Sequence, residues 1–176
     1  RGHLTDNYNP VKKVLSLSES TYGSNSIAAV GVAAHETGHA IQHHVGYVPL
    51  EVRRMLVPVA NIGSSLGPIL AVAGIGFGYS AYAEQYHPLC QLVANIGILL
   101  FGCATLFYIV TLPVEFNASR RALKILKKSG VFSDQKEIDG AGKVLWAAAM
   151  TYVASALTAI GNLIRLILLS NRRNRR

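Results

Sequence analysis

The stretch "GVAAHETGHAIQHH", residues 31–44, places His35 and His39 four residues apart, with Glu36 between them. On a helix, residues i and i+4 lie on one face, so both imidazoles can reach one metal ion about 2.0–2.1 Å away. Glu36 is displaced about 100° round the helix from His35, close enough to act on a metal-bound water without ligating the metal. This spacing predicts a helix that carries two metal ligands and the general base of a zinc hydrolase.

The alternative is an ordinary helix in which the histidines arose by chance or for packing. Two imidazoles and a carboxylate among Ala and Gly residues are costly to bury without a partner, and a metal ion supplies one. His43 continues the same face but lies about 6 Å further along the axis than His39, so we expect it outside the ligand set. The helix is predicted to start near Ile27, after a Ser24 or Ser26 cap, and to stop at Gly46.

The composition indicates the solvent in which the chain folds. Only 15% of the residues are charged and 51% are hydrophobic, whereas soluble domains carry about 25% charged residues. The net charge of +8 comes from Lys and Arg grouped beside apolar segments, without a basic stripe interleaved with aromatic residues. We therefore expect a membrane protein whose partner is the lipid bilayer, with its anionic headgroups, and no nucleic acid.

Two runs without charged residues follow the motif, at 56–79 and 89–113. Each can cross a hydrocarbon core about 30 Å thick, so together they predict a transmembrane hairpin. The loop at 80–88 has no Lys or Arg. The arginines that flank the hairpin all lie on the motif side and are Arg53, Arg54, Arg120 and Arg121. The positive-inside rule then places the motif side in the cytoplasm.

A third apolar stretch covers residues 143–169, is interrupted by Arg165 and precedes a basic tail. If the stretch spans the membrane, the tail lies outside, against the positive-inside rule. Alternatively, its Ala-rich first half packs on the catalytic domain and the remainder is too short to span. The second arrangement is favoured.

The segment "VLSLSES", residues 14–20, alternates Leu15 and Leu17 with serines, which predicts a short, half-exposed strand. A peptide can add to the edge of such a strand, beside the metal helix, through main-chain hydrogen bonds. We therefore expect Leu15, Ser16 and Leu17 to bind substrate.

A third metal ligand must lie outside the motif, because a catalytic zinc ion takes three protein ligands and keeps one position open. Glu115 is favoured by its position, where the second apolar run returns to the motif side. Its alternative role is that of a carboxylate near a helix N-terminus, stabilised by the helix dipole. The other candidate carboxylates and imidazoles are Asp6, Glu19, Glu51, Glu84, Asp134, Glu137, Asp139, His3 and His87.

Three segments together carry a family resemblance: "GHLTDNYNPVKKVLSLSESTYGSNSIAAVGVAAHETGHAIQH" (2–43), "LPVEFNASRRAL" (112–123) and "VLWAAAMTYVASAL" (144–157). They resemble the YugP-type membrane zinc metallopeptidases of bacteria and, more distantly, the HtpX and Ste24 membrane proteases. The resemblance covers most of the chain. It implies a mainly α membrane protein with a gluzincin-like zinc-protease core, a short N-terminal β element and an inserted transmembrane helical hairpin.

The resemblance also implies a site. One Zn²⁺ per chain is held by His35, His39 and Glu115, with Glu36 as the base. The expected location is the bacterial plasma membrane, with several membrane passes, and the positive-inside rule puts the site on the cytoplasmic side. An N-terminal membrane helix, usual in this family, is expected before the residues given.

The chain departs from the family pattern, which reads LTDHYDP and VEFDASRRA where this sequence has Asn7, Asn9 and Asn117. In the distant relatives a carboxylate four residues after the ligand glutamate supports a histidine ligand, and here that position is Ser119. Such groups change metal affinity or activity about 10- to 100-fold, so the departures bear on affinity and rate rather than on the ligand set. The candidates for supporting the ligands or the oxyanion are Asn117, Ser119, Arg120 and Tyr152, with Tyr22 as a further possible donor.

The predicted function is that of a membrane-embedded zinc metalloprotease, which hydrolyses peptide bonds of membrane or membrane-proximal proteins by a zinc-activated water with Glu36 as general base. The alternative is a catalytically impaired, metal-binding membrane scaffold protein, which a closed site with Asp6 or His3 as a fourth ligand would favour. A metal transporter is disfavoured, because the runs at 56–79 and 89–112 contain no carboxylate or imidazole.

The predicted organisation has five segments. They are the first part of the protease core with the edge strand and motif helix (1–51), the transmembrane hairpin (52–113), the second part of the core with the third-ligand helix (114–142), an apolar helix packed on the core or membrane (143–170) and a basic tail (171–176).

Overall fold

The computed structural model describes residues 5–78 and 85–173, except for the side chain of Arg173. Within these residues the chain is mainly helical, and its short β element precedes the helices, as predicted. The strands are β1 (Asn7–Asn9) and β2 (Val14–Ser16), and the helices are α1 (Glu19–Tyr22), α2 (Ile27–His44), α3 (Val48–Gly78), α4 (His87–Ser129) and α5 (Gln135–Arg173).

The predicted motif helix is confirmed as α2. Its first turn is capped by Ser26, whose Oγ accepts a hydrogen bond from the Ala29 N–H at 3.2 Å. The helix ends at His44, just before Gly46, whose φ of +63° is a conformation that favours glycine. Small residues, among them Ala34 and Gly38, form most of its buried face. A neighbouring helix can therefore approach the α2 backbone closely.

The β element is an antiparallel hairpin in which Tyr8 lies opposite Leu15. The turn is stabilised by the Asn9 side chain, whose Oδ1 accepts from the backbone N–H groups of Val11 and Lys12. β2 lies inside the predicted strand segment, whereas β1 was not predicted. Its Asn-rich sequence indicates a turn, and only pairing with β2 makes it a strand.

Asp6 connects the start of the hairpin to α1. Its carboxylate accepts hydrogen bonds from the backbone N–H and hydroxyl of Ser18 and from the hydroxyl of Thr21. Burial tends to raise the pKa of Asp6, but these hydrogen bonds outweigh it and leave the pKa below its usual value. The residue that could have supplied a fourth metal ligand is therefore engaged in holding the fold.

Helix α4 covers two segments that the sequence predicts as separate helices. It runs without a break through Pro113, from the second apolar run to the helix that carries Glu115. Proline removes one backbone hydrogen bond and disfavours a helix interior by about 3 kcal/mol or more. Packing offsets this cost, because Val114 and Ala118, on the following turns, are fully buried. Gly130, with φ of +66°, follows the end of the helix.

The described residues form two compact units. The first contains residues 5–51 and 111–153, and its core consists of buried residues from α2, α4 and α5. These core residues are Ala34, Ala122, Leu126, Ala141 and Leu145. The first half of the third apolar stretch thus packs on the motif helix, as expected.

The second unit contains residues 52–78, 85–110 and 154–173. Here α3 and α4 pack so closely that a Cβ on Gly67 would lie 2.8 Å from the Phe101 backbone nitrogen, and one on Gly74 would lie 2.5 Å from that of Ala94. Such approaches are typical of helices that associate in lipid. The three long helices each have an apolar stretch sufficient in length and composition to cross a membrane.

The second half of the third apolar stretch belongs to the second unit, and the expectation that it does not span the membrane stays a prediction. α5 remains helical to Arg173, and its Ala159 and Leu166 pack in a core with residues of α3 and α4. Arg165 does not end the helix, because arginine is a good helix former.

Candidate metal centre

The structure brings His35, His39 and Glu115 together, although Glu115 is far away in the sequence. The two histidines lie one turn apart on α2, and their rings meet edge to face at a centroid distance of 4.8 Å. Glu115 comes from α4, with Oε2 lying 3.2 Å from His35 Nε2 and 3.7 Å from His39 Nε2. One ligand atom from each residue lies within 4.8 Å of the others.

This donor set fits a zinc ion. Bonds of about 2.0–2.2 Å in tetrahedral geometry place neighbouring ligand atoms about 3.3 Å apart, close to the two distances from Glu115 Oε2 to the histidines. The Glu115 side chain belongs to a residue that is only 1% exposed, and a buried carboxylate requires a cationic or hydrogen-bonding partner. Three protein ligands leave one coordination position open, which is the arrangement of a catalytic zinc site.

The pKa of His39 also indicates that this position favours a positive charge. Burial lowers its pKa, but the hydrogen bond and charge of Glu115 outweigh burial, so the pKa lies above its usual value. Glu115 therefore provides a negative potential that stabilises a positive charge between the two helices, whether on an imidazolium or on a metal ion.

Glu36 lies beside the three ligands without belonging to the cluster. Burial raises its pKa, and the negative charge of Glu115 adds to this effect, whereas the two histidines and a backbone hydrogen bond from Tyr8 oppose it. The net shift is upward. A carboxyl group in this position can take up and release a proton next to the metal position.

Tyr8 makes two contacts with α2 that the sequence did not reveal. Its backbone N–H donates to the Glu36 carboxylate, and its hydroxyl lies 2.9 Å from His43 Nδ1. Strand β1 is thus fixed to α2 at two points, one of them at the predicted base. Leu15 and Ser16 lie on β2, and Leu17 follows it. No sequence signal identifies this contact, because a backbone amide is common to nearly all residues.

Two of the predicted supporting residues lie near the histidines. Ser119 Oγ is 3.2 Å from His35 Nδ1. Asn117 Oδ1 accepts from Gln42 Nε2 at 3.0 Å, and the other polar end of Gln42 is 2.9 Å from His39 Nδ1. Gln42 was missed, although its position three residues after His39 on the same helix face was a usable signal.

The other predicted donors lie elsewhere in the first unit. Arg120 is exposed and lines a cavity of about 400 Å³ together with Phe116 and Trp146. Tyr152 is half-buried on α5, and Tyr22 is 83% exposed on α1. His3, the other possible fourth ligand, lies outside the described residues.

The backbones of α2 and α4 almost touch at the motif. A Cβ on Gly38 would lie 2.5 Å from the carbonyl oxygen of Ala118. Real Cβ atoms do not approach a backbone oxygen so closely, so glycine at this position of the HETGH motif lets Glu115 reach the two histidines.

This fold and this donor set first define a class: a helical metalloprotein with candidate membrane spans and one three-ligand site among its described residues. Residues 1–171 match the sequence profile of the family described as "Putative neutral zinc metallopeptidase", and the chain belongs to this family. It is also 41% identical over 169 residues to the "Putative membrane protease YugP" of Bacillus subtilis (strain 168), covering 96% of this chain and 70% of that protein. No solved structure matches the chain.

Proposed function

We propose that the chain is a membrane-embedded zinc metalloendopeptidase of the gluzincin type, which cleaves membrane or membrane-proximal proteins. The observation that carries this proposal is the position of Glu36, a carboxyl group outside the ligand cluster, next to two histidines and a buried glutamate with ligand atoms within 4.8 Å of one another. A structural site has no need of such a group, whereas peptide hydrolysis requires a base there.

In the proposed peptide hydrolysis, the zinc ion and the Glu36 side chain have separate roles. One zinc ion held by His35, His39 and Glu115 supplies a Lewis acid, which lowers the pKa of water and stabilises negative charge on a carbonyl oxygen. Glu36 removes a proton from the attacking water as the C–O bond forms. The same carboxyl group then delivers this proton to the amine nitrogen as the C–N bond breaks, which returns Glu36 to its carboxylate form.

The cellular location is part of the proposal. The similarity to a membrane protease and the three apolar helices support a multi-pass protein of the bacterial plasma membrane. The arginines at both ends of the hairpin and their absence from the loop at 80–88 favour a cytoplasmic site. Glu115 is only two residues after the second uncharged run. The metal site is therefore close to the membrane surface and can act on peptide bonds there.

The metal content tests the site directly. Purified in detergent and dialysed against a weak chelator, the wild type is expected to retain one zinc per chain. Glu115→Ala should lose most of it, because two histidines alone leave the ion with too few ligands. Glu19→Ala, which removes an exposed carboxylate on α1, is the matched control and should retain zinc. Equal zinc in all three proteins would exclude Glu115 as a ligand.

The edge of the hairpin next to Glu36 is the proposed peptide-binding edge. In an antiparallel pair, opposite residues alternate between amides that face the partner strand and amides that face away. Because the Tyr8 amide donates to Glu36, the Tyr8–Leu15 pair is of the second kind. β1 therefore turns its outer edge to the site, and of the residues predicted for substrate binding, Leu15 and Ser16 lie on β2, the strand behind it, while Leu17 follows β2.

Proline substitutions distinguish the two edges. Tyr8→Pro removes the amide that donates to Glu36 at the site edge and should lower kcat/KM about 10- to 100-fold, the equivalent of one or two hydrogen bonds to a charged group. Tyr8→Phe, which removes only the hydroxyl, and Leu15→Pro, which removes the amide on the far edge, should retain activity within a few-fold. Loss in Leu15→Pro alone would return the substrate to β2.

A further inference from the structure

Gln42 is the most deeply buried polar side chain near the site. It lies on α2, three residues after His39, and is 0% exposed. A buried amide is costly unless its donors and acceptor are paired. The contacts of Gln42 therefore determine which way its amide points.

One of these contacts fixes the orientation. Gln42 Nε2 lies 2.8 Å from the carbonyl oxygen of Val114, the residue before Glu115. A backbone carbonyl can only accept a hydrogen bond, so the NH₂ end of the amide must face it. The second N–H of this group donates to Asn117 Oδ1 at 3.0 Å. If the Gln42 amide were flipped, its Oε1 would face the Val114 carbonyl oxygen and Asn117 Oδ1, and none of these oxygens can donate a hydrogen bond.

The orientation of Gln42 determines the tautomer of His39. With its NH₂ group turned to α4, Gln42 presents Oε1 to His39 Nδ1 at 2.9 Å. The oxygen can only accept, so Nδ1 must carry the proton. A neutral imidazole has one proton, and Nε2 therefore keeps its lone pair. Nε2 is the atom that lies 3.7 Å from Glu115 Oε2, at the metal position.

We infer that Gln42 is a positioning residue of the metal site, which holds His39 in the tautomer and ring orientation that bind zinc through Nε2. Asn117 and Arg121 hold its outer end, since Arg121 Nε also donates to Asn117 Oδ1, at 2.7 Å. The inference rests on the metal site of the proposed function and is independent of which substrate is cleaved.

His35 and His39 differ in whether a neighbouring side chain fixes their tautomer. His35 Nδ1 faces the hydroxyl of Ser119 at 3.2 Å, and a hydroxyl can donate or accept. Ser119 therefore leaves the tautomer of His35 open, whereas the Gln42 amide sets that of His39. The positioning effect is expected at His39.

Zinc affinity tests the inference. Competition with a chromogenic chelator, on the full chain in detergent, should give about 10- to 100-fold weaker zinc binding for Gln42→Leu than for the wild type, the usual effect of losing a group that orients a ligand. Gln91→Leu is the matched control, because it makes the same change at a glutamine in the other unit whose amide bonds Asn95. Wild-type affinity in Gln42→Leu would overturn the inference.

The tautomer of His39 is a second readout. It can be determined in the wild type, so it does not depend on whether a variant folds. In zinc-free wild-type protein with histidine-selective ¹⁵N labelling, at a pH where both imidazoles are neutral, NMR should show His39 with its proton on Nδ1. In Gln42→Leu the proton should shift towards Nε2, next to the Glu115 carboxylate. A wild-type His39 with its proton on Nε2 would exclude the proposed role of Gln42.

The contact between Gln42 and Asn117 is tested by two substitutions of Asn117. Asn117→Asp keeps an acceptor for Gln42 and Arg121 and should bind zinc within a few-fold of the wild type. Asn117→Leu removes the acceptor and should bind several-fold more weakly. Equal affinity in both variants would limit the positioning effect to Gln42 and exclude Asn117 and Arg121 from it.

These measurements also separate the inference from the proposed function. If the wild type binds zinc and Gln42→Leu does not, the positioning role holds even when neither protein cleaves a peptide. If the wild type cleaves peptides and Gln42→Leu matches it in activity, zinc affinity and tautomer, the protease function holds and the positioning role fails.

Discussion

Replacing Glu36 with glutamine is expected to lower kcat for peptide hydrolysis about 1,000-fold or more, since general acid–base catalysis contributes about 10²–10⁴-fold. Glutamine has nearly the same shape but cannot accept the proton of the attacking water or return it to the leaving amine. The three ligand residues are unchanged, so zinc should stay bound. The change separates catalysis from metal binding, which is the distinction between a protease and a metal-binding scaffold.

The measurement is single-turnover cleavage of a fluorogenic peptide by the full chain in detergent, with zinc determined on the same samples. Glu19→Gln makes the same change at an exposed carboxylate on α1 and should leave both quantities unaltered. Near-normal cleavage by Glu36→Gln would remove Glu36 from the mechanism. Loss of zinc together with activity would instead show a structural contribution to the site.

Gly38→Ala is expected to destabilise the first unit and weaken zinc binding, although alanine is the better helix former. The added Cβ would lie 2.5 Å from the Ala118 carbonyl oxygen, so α2 and α4 must separate. Overpacking of this kind costs about 1–3 kcal/mol. Because Glu115 is on α4 and both histidines are on α2, the separation also draws the ligands apart.

The same helix offers a matched control. A Cβ on Gly31 meets the nearest atom, the Cβ of Ala141, at 3.7 Å, an ordinary contact. Gly31→Ala should therefore keep zinc affinity and gain up to about 1 kcal/mol from helix propensity. Thermal midpoints in detergent and zinc competition compare the two variants. Equal behaviour of Gly31→Ala and Gly38→Ala would mean that the close approach of α2 and α4 is not needed for the site.

The sequence by itself determined the parts of this protein that follow from local periodicity. The i, i+4 spacing of His35 and His39 defines one face of a helix, and Ser26 and Gly46 mark its ends. Long uncharged runs identify the apolar helices by length alone. Glu115 was favoured as the third ligand by its place after the second run, and the family resemblance implied the same residue.

The tertiary structure decided what depends on contacts between distant backbones. The Tyr8 amide at Glu36, the Val114 carbonyl at Gln42 and the Ala118 carbonyl at Gly38 are main-chain groups, which side-chain patterns do not report. The continuity of α4 through Pro113 was likewise set by packing, which outweighs the local preference of proline to break a helix. Local sequence placed the three candidate ligands on their helices, and these backbone contacts set the distances between them.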